Sequence, residues 1–372
     1  MKESQKKMMQ HSEVKVRLLK LYLERYLNIL SNSKYIGDIH VYDLFCGEGI
    51  YEDGGKGSPL IILETIKNIH FASKATGREL SKFNCLFNDI DDEKVKNVEE
   101  YISGNKLHYP EIGELIFRTE DYRKLLQEVI AETEKFKKRK AFVFIDPYGY
   151  KDIKVADINS LLKNGSTEVL LFLPTQFMFR FETKGTPESL KEFINELMPI
   201  EKWPTSETGI EFIENLTEAF RDALGDDYFV DSFIITRDKN QFFCLFFFTS
   251  HIYGFDRMLD AKWKIDEEEG RGWQFNIENN LFSQTEKKPN TYKFEKMLMD
   301  YLKTDKTNKD LYQFTLHSGH LPAHTNEILL KLQNEQKLIS LKKDGSPARK
   351  SSFYLNYKSY KEEPDKITLK IK

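Results

Sequence analysis

"YFVDSFIITRDKNQFFCLFFFTSH", residues 228–251, holds two long apolar runs joined by only "DKN". A parallel crossover needs a dozen or more residues, so a link this short makes the runs two strands of one antiparallel hairpin. Upstream the pattern differs. "KAFVFIDPYGY" (140–150) and "TEVLLFLP" (167–174) are continuous apolar stretches rich in β-branched and aromatic residues, as expected of strands buried on both faces of a parallel sheet. "DIHVYDLF" (38–45), "NCLFNDID" (84–91) and "GELIFRTED" (113–121) read as three earlier strands. Helical patterns separate the strands: "SPLIILETIKNIHFA" (58–72), "DDEKVKNVEEYI" (91–102) and "YRKLLQEVIAETEKF" (122–136) lie between the first four. In the first of these three segments Ser58 is placed to cap the helix, with Pro59 in its first turn. An amphipathic helix over Val14–Leu30 precedes them all.

Five parallel strands closed by an antiparallel hairpin is the strand plan of the Rossmann-like class I methyltransferases, whereas a dinucleotide-binding dehydrogenase continues parallel. The first strand runs into "VYDLFCGEGIYEDGGKGSPL" (41–60). In an open parallel sheet a ligand sits beyond the carboxyl ends of the strands, and glycines let it approach the backbone. Gly47 and Gly49 lie there, but the third glycine of the dinucleotide fingerprint is replaced by Glu52, a charge where pyrophosphate would lie. No GxxxxGK[ST] is present, which excludes a P-loop. S-adenosylmethionine carries no phosphate, so an acidic loop is compatible with it, and Asp43 suits its ammonium group. The alternative is a plain glycine turn.

Asp89 ends the second strand, where a carboxylate can accept from both ribose hydroxyls, and Asp121 ends the third, within reach of an adenine amino group. Phe45 and Ile90 beside these positions complete the expected cofactor set. Each acid alone also fits a helix cap or a solvated turn, but three acids at the ends of three successive strands favour a shared site. The 46 residues from Asp43 to Asp89 exceed the roughly 20 of a compact dinucleotide unit, and "ASKATGREL" reads as an insertion within them. The fourth strand ends in "FIDPYGY" (144–150). Acid, proline and aromatic there resemble the [DN]PP[YF] motif of methyltransferases that act on exocyclic amino groups of bases. That resemblance implies Asp146, with Pro147, as the hydrogen-bond acceptor for the amino group and Tyr148 as the stacking platform for a base taken out of its stack. Gly149 and the single proline depart from that motif and bring it closer to the DP[FY]G form of tRNA guanine methyltransferases. The alternative is a type I turn.

The chain has 372 residues, 31% charged and 40% hydrophobic, enough for one large domain and a smaller one. No window approaches the ~20 apolar residues of a membrane span, and "MKESQKKMMQHSEVK" lacks the apolar stretch of a secretory signal. The expectation is a cytoplasmic protein without a membrane partner. Cys46, Cys85 and Cys244 are far apart with no CxxC, so neither disulfides nor a metal site are expected. The net charge of -3 divides unevenly: residues 291–372 carry 16 Lys+Arg and 10 Asp+Glu. The expected organisation is a Rossmann-like domain over 1–282, a linker over 283–291 and a winged-helix-like domain over 292–372.

"KFEKMLMDYLK" (293–303), "NKDLYQFTLHS" (308–318) and "TNEILLKLQNEQ" (325–336) are three helical patterns, and "LISLKKDGSPARKSSFYLNY" (338–357) reads as two strands about a turn, with Tyr354 and Tyr357 facing the core. In a winged helix the third helix can enter a major groove while wing residues, here Lys342, Lys343, Arg349 and Lys350, touch phosphate. The third helix mixes Glu327, Lys331, Glu335 and Lys337, which implies weak DNA binding by this domain alone. A winged helix that docks protein is the alternative.

Assembled, the stretches "KVRLLKLYLERYL", "DLFCGEGIYEDG" with "GSPL", "FIDPYGY", "LLFLPTQFM" and "LFFFTSHIYGFDRMLDAKWKID" resemble the three-Cys-motif partner (TcmP) family over about residues 12–266. The resemblance implies a methyltransferase-like cofactor fold and a partner protein bearing three cysteines, with iron–sulfur or radical chemistry in that partner. The leading expectation is S-adenosylmethionine-dependent methylation of a nucleic-acid base, DNA or RNA. The competing one is a methyltransferase-like scaffold or specificity subunit for the three-cysteine protein. Methylation of a protein or small molecule is a third, disfavoured by DPYG.

Overall fold

The computed structural model describes residues 8–78, 80–183, 186–238, 241–274 and 288–372. The described residues divide into two compact units, one within 1–254 and 272–280, the other within 255–271 and 281–372.

The first unit is built on an eight-stranded sheet in the order β3-β2-β1-β4-β5-β7-β6-β8. Strands β1 (Asp38–Asp43), β2 (Lys82–Asn88), β3 (Leu115–Arg118), β4 (Arg139–Ile145) and β5 (Thr167–Leu173) run parallel. The hairpin read from the sequence forms β6 (Phe229–Asp238) and β7 (Gln241–Thr249), paired antiparallel from Phe229↔Thr249 to Asp238↔Gln241. β7 inserts between β5 and β6, so it alone of the described strands in this sheet runs against the rest, and this is the class I methyltransferase sheet. Every residue of β5 is buried, as its unbroken apolar run requires. β3 alternates between half-buried and exposed because it is an edge. A three-residue strand, β8 (Gly272–Gln274), extends the other edge beside β6.

Helices α2 (Ser58–Ala75), α3 (Asp92–Gly104), α4 (Tyr122–Thr133) and α5 (Val155–Leu162) fill the crossovers, and α6 (Thr175–Thr183), α7 (Glu188–Leu197) and α8 (Gly209–Leu224) lead from β5 to the hairpin. The main core packs α4, α5, α7 and α8 on β1, β4, β5 and β7. Helix α1 (Gln10–Ser31) lies outside the alternation, with Tyr22 fully buried against Phe142 and Phe247. The Tyr22 hydroxyl hydrogen-bonds Glu168 Oε2, and Thr249 Oγ1 donates to Glu168 Oε1 at 2.9 Å. One sequence expectation fails locally. Ser58 is the first helical residue of α2, and the cap position falls to Gly57, with no side-chain cap bond.

The second unit takes in α9 (Ile252–Trp263) from Phe255 onward. The boundary expected at 283–291 therefore needs correcting on its amino-terminal side. Tyr312 donates to Asp256 Oδ2 at 2.6 Å and Trp263 Nε1 to the Gly319 carbonyl at 2.9 Å, which ties residues 255–271 to this unit. Residues 283–287 of the expected linker lie outside the described residues. Helices α10 (Tyr292–Tyr301), α11 (Asn308–His317) and α12 (Pro322–Asn334) accompany a sheet in the order β10-β11-β9, from Leu338–Lys342, Ile367–Ile371 and Lys306–Thr307. Three helices and this antiparallel sheet make a winged helix. The wing differs from the sequence reading, because the strand returning to β10 is Ile367–Ile371 and not "SSFYLNY". After the Asp344–Gly345 turn only one bridge forms, Leu341↔Pro347, and left-handed Ser351 and Tyr354 break the extended path. Phe353 and Leu355 are buried there, whereas Tyr354 and Tyr357 are half-exposed. No described helix is long and apolar enough to cross a membrane.

Candidate active site

The carboxyl ends of β1 to β4 are level: Asp43 pairs with Phe87 on one side and Phe144 on the other, and Asn88 with Arg118. Their loops therefore open on one edge of the sheet.

Gly47 adopts φ 60°, a left-handed value that only glycine holds without strain, and a Cβ there would meet nothing within 4 Å. Backbone at that point is open to a ligand. Gly49, at φ 74°, is required by packing as well, since its Cβ would lie 2.4 Å from Val98 Cγ2 on α3. The rest of the loop folds back as a small hairpin, bridged at Ile50↔Lys56 and closed by Gly57 N–H donating to the Gly49 carbonyl at 2.7 Å.

Asp89 is buried and works as a latch. Its Oδ2 accepts from Gly47 N–H at 3.2 Å and its Oδ1 from Asp91 N–H at 3.0 Å. A carboxylate offers about four acceptor sites, so two remain for other donors. Asn88, which the sequence reading passed over for its acidic neighbour, is the pin of this edge. Its amide donates to the Leu44 and Glu120 carbonyls, both at 3.2 Å, and accepts from Glu120 N–H at 3.0 Å. It thereby joins the loops after β1 and β3. Asp121 is exposed and caps α4, accepting from Arg123 N–H at 2.9 Å and Lys124 N–H at 3.3 Å through one oxygen, Oδ1.

Asp43 is wholly buried. Burial pushes its carboxyl up to about 7, the Ser58 hydroxyl lowers it less, the nearby charge of Asp146 raises it further, and the Phe45 amide and Lys15 lower it. Oδ1 accepts from Phe45 N–H at 3.3 Å, while Oδ2 has no hydrogen-bond partner. An orphaned buried carboxylate oxygen is costly, and a donor or cation supplied by a ligand would relieve it.

Pro147 and Tyr148 follow β4 on the same edge. Phe45, Ile90, Asp121, Pro147 and Tyr148 line one open cleft of about 210 Å³. Ile90 and Tyr148 are 69% and 68% exposed. Phe45 packs on Tyr122 with ring centroids 4.8 Å apart. Lys94 of α3 donates to the Tyr148 hydroxyl at 2.7 Å and lies 5.1 Å from the ring centroid. Gly47, Gly49, Asp43, Asp89 and Asp146 are not among the cleft-lining residues. Asp146 is ion-paired with Lys15 of α1, the first residue of "KVRLLKLYLERYL", to which the sequence alone assigns no role.

In the winged-helix unit Lys342, Lys343, Arg349 and Lys350 are all exposed. Lys343 pairs with Asp365 at 2.6 Å, and two cations at the third helix are neutralised in the same way, Lys331 by Glu295 at 2.8 Å and Lys337 by Glu335 at 2.7 Å. Cys46, Cys85 and Cys244 are free and buried, and burial pushes the Cys85 thiol up to about 12. No group of three or more potential ligands among the described residues is placed to hold a metal ion.

The family model of a GMT-like wHTH domain matches residues 266–345. Among solved structures, protein LPL1258 from Legionella pneumophila is similar over 68% of this chain and 90% of its own, at 12% identity and a TM-score of 0.41. A SAM-dependent methyltransferase from Agrobacterium tumefaciens is similar over 65% and 62%, at 10% identity and a TM-score of 0.36. An O-methyltransferase from Bacillus cereus in complex with SAH is similar over 66% and 83%, at 11% identity and a TM-score of 0.36. No curated protein matches the sequence.

Proposed function

We propose that the α/β unit is an S-adenosylmethionine-dependent methyltransferase that acts on an exocyclic amino group of a nucleic-acid base. The observation that carries this reading is the end of β4, where a half-buried acid, a buried proline and a 68% exposed tyrosine stand beside an open cleft. The residues fit the cofactor: Gly47 leaves backbone approachable, and Asp43 Oδ2 is a buried acceptor without a partner that suits a cationic ligand. S-adenosylmethionine, when bound, supplies an electrophilic methyl group on a sulfonium. Asp89 and Asp121 are the acceptors for ribose hydroxyls and the adenine amino group, with Phe45 and Ile90 as the apolar walls. Tyr148 stacks on the target base while Asp146 accepts one N–H of its amino group, which aims the nitrogen lone pair and receives the proton that must leave. The winged helix contributes phosphate contacts through Lys342, Arg349 and Lys350, with Lys343 partly neutralised by Asp365.

A second reading, that of a scaffold or specificity subunit for a three-cysteine-motif protein, is favoured by one observation: an internal lysine already engages one of the two carboxyl oxygens of Asp146. Tritiated methyl transfer to bulk DNA, tRNA and rRNA decides between them, run with and without such a partner. Asp146→Ala should keep cofactor affinity and lose about 10²–10⁴-fold in rate, and Tyr148→Ala should weaken nucleic-acid binding by about 1–3 kcal/mol. Incorporation that survives unchanged in Asp146→Ala removes that residue from the mechanism. No incorporation under any condition, with calorimetric cofactor binding confirmed, selects the scaffold.

A further inference from the structure

The Lys15 ammonium pairs with Asp146 Oδ2 across 131 residues of sequence. Both side chains are largely enclosed, at 12% and 19% exposure. Lys15 Nζ also lies 4.6 Å from the ring centroid of Phe172 near the end of β5. That ring stacks on Phe243 at 5.5 Å, and Phe243 on His11 at 4.8 Å, one turn before Lys15 on α1. Acid and aromatic face together hold the ammonium, and the low polarity of the surrounding rings strengthens both contacts relative to water.

An ammonium has three donors and no acceptor. The oxygen it touches must therefore accept, so the pair fixes which carboxyl oxygen faces Lys15. Oδ1 remains for a ligand, and an ionised carboxylate offers acceptors and no donor. It pairs with N–H or O–H donors and repels carbonyl and phosphate oxygens.

We propose that Lys15 is a positioning residue, fixing Asp146 as an oriented, acceptor-only carboxylate and so confining the methyl acceptor to groups that present a donor hydrogen. The first half rests on the ion pair alone, and the second on the methyl-transfer reading above. Helix α1, which lies outside the alternation of strands and helices, thus acts on the reacting end of β4 without touching substrate.

The test uses the full chain with Lys15→Met, Lys15→Arg, Asp146→Asn and the double variant Lys15→Met/Asp146→Asn. In urea unfolding Lys15→Met and Asp146→Asn should each lower the midpoint, and the double should lie no lower than the worse single, the signature of one shared interaction. In methyl transfer, Lys15→Met should lose about tenfold or more in kcat, with KM for nucleic acid and cofactor affinity within about twofold, and Lys15→Arg should restore most of the rate. Midpoint shifts that simply add, or a Lys15→Met rate equal to wild type, overturn the proposal. A wild-type chain that transfers no methyl group while the unfolding cycle still shows coupling refutes the methyl-transfer reading and leaves Lys15 as the holder of Asp146.

Discussion

Replacing Asp43 by asparagine should tilt the pH dependence of stability by a calculable amount. The carboxyl is fully buried and titrates at about 7 in the fold against an ordinary 3.8. Below pH 4 both folded and unfolded chains hold the proton, and the group contributes no difference. Between 4 and 7 the unfolded chain releases the proton while the folded chain keeps it, so stability falls as pH rises, and above 7 the loss is complete. At about 1.4 kcal/mol per pH unit, a gap of ~3 units amounts to about 4 kcal/mol. The amide introduced by Asp43→Asn cannot ionise, so relative to wild type the variant gains about this much between pH 4 and pH 7. Glu168, also pushed up to about 7 by burial, is present in both proteins and cancels in the comparison. Urea midpoints measured every half unit from pH 4.5 to 8, converted with each protein's own m value, give the difference directly. Two curves that stay parallel across this range refute the assignment of a raised carboxyl to this site. A cation placed at Oδ2 selects the ionised form, so wild-type affinity for S-adenosylmethionine should climb with pH towards 7 with release of a proton, and the Asp43→Asn variant should lose that climb.

Asp89→Ala removes the acceptor for two backbone N–H groups as well as the expected ribose contact, so it should lower stability by about 1–3 kcal/mol even without cofactor, read as a urea midpoint shift. An effect on cofactor affinity alone would show that the latch is not formed. In the winged-helix unit, burial holds His324 down at about 4, with His320 also lowered beside it. Stability is full above the ordinary value of 6.5 and is lost as pH falls from 6.5 towards 4, by at most about 1.4 kcal/mol per pH unit, because the unfolded imidazole takes a proton that the folded one refuses. His324→Phe should flatten this acid limb in urea unfolding between pH 7 and 4.5, and an unchanged slope would assign the limb to other groups.

The sheet was legible because its signals are local. A link of three residues between two apolar runs dictates an antiparallel pair, and the uninterrupted runs of β4 and β5 mark strands covered on both faces. Glycines and acids at strand ends were visible for the same reason, since each follows an apolar run directly. What escaped depends on contacts between distant positions. Lys15 looks like any polar residue on an amphipathic helix until β4 and β5 bring Asp146 and Phe172 to it. Asn88 makes its three hydrogen bonds to main chain of two other loops, a role that its own neighbours in sequence do not encode. The wing was misread because "ITLKI" returns after a short helix, Tyr357–Glu362, and adjacency favoured the nearer "SSFYLNY" as partner of β10. β8 has only three residues, too few to carry a period.

Glu168 binds the hydroxyl of Tyr22 with one oxygen and that of Thr249 with the other, joining α1 to the last residue of β7. On a ribosome these partners emerge in the order α1, β5, β7. Until residue 249 has been made, β5 has β4 on one side and an open hydrogen-bonding edge on the other, with seven residues that the finished unit buries completely. Such an edge is a template for pairing with other chains. A chain halted before β7 is therefore an aggregation hazard, and the carboxylate on β5 keeps one acceptor without its final donor until the hairpin closes.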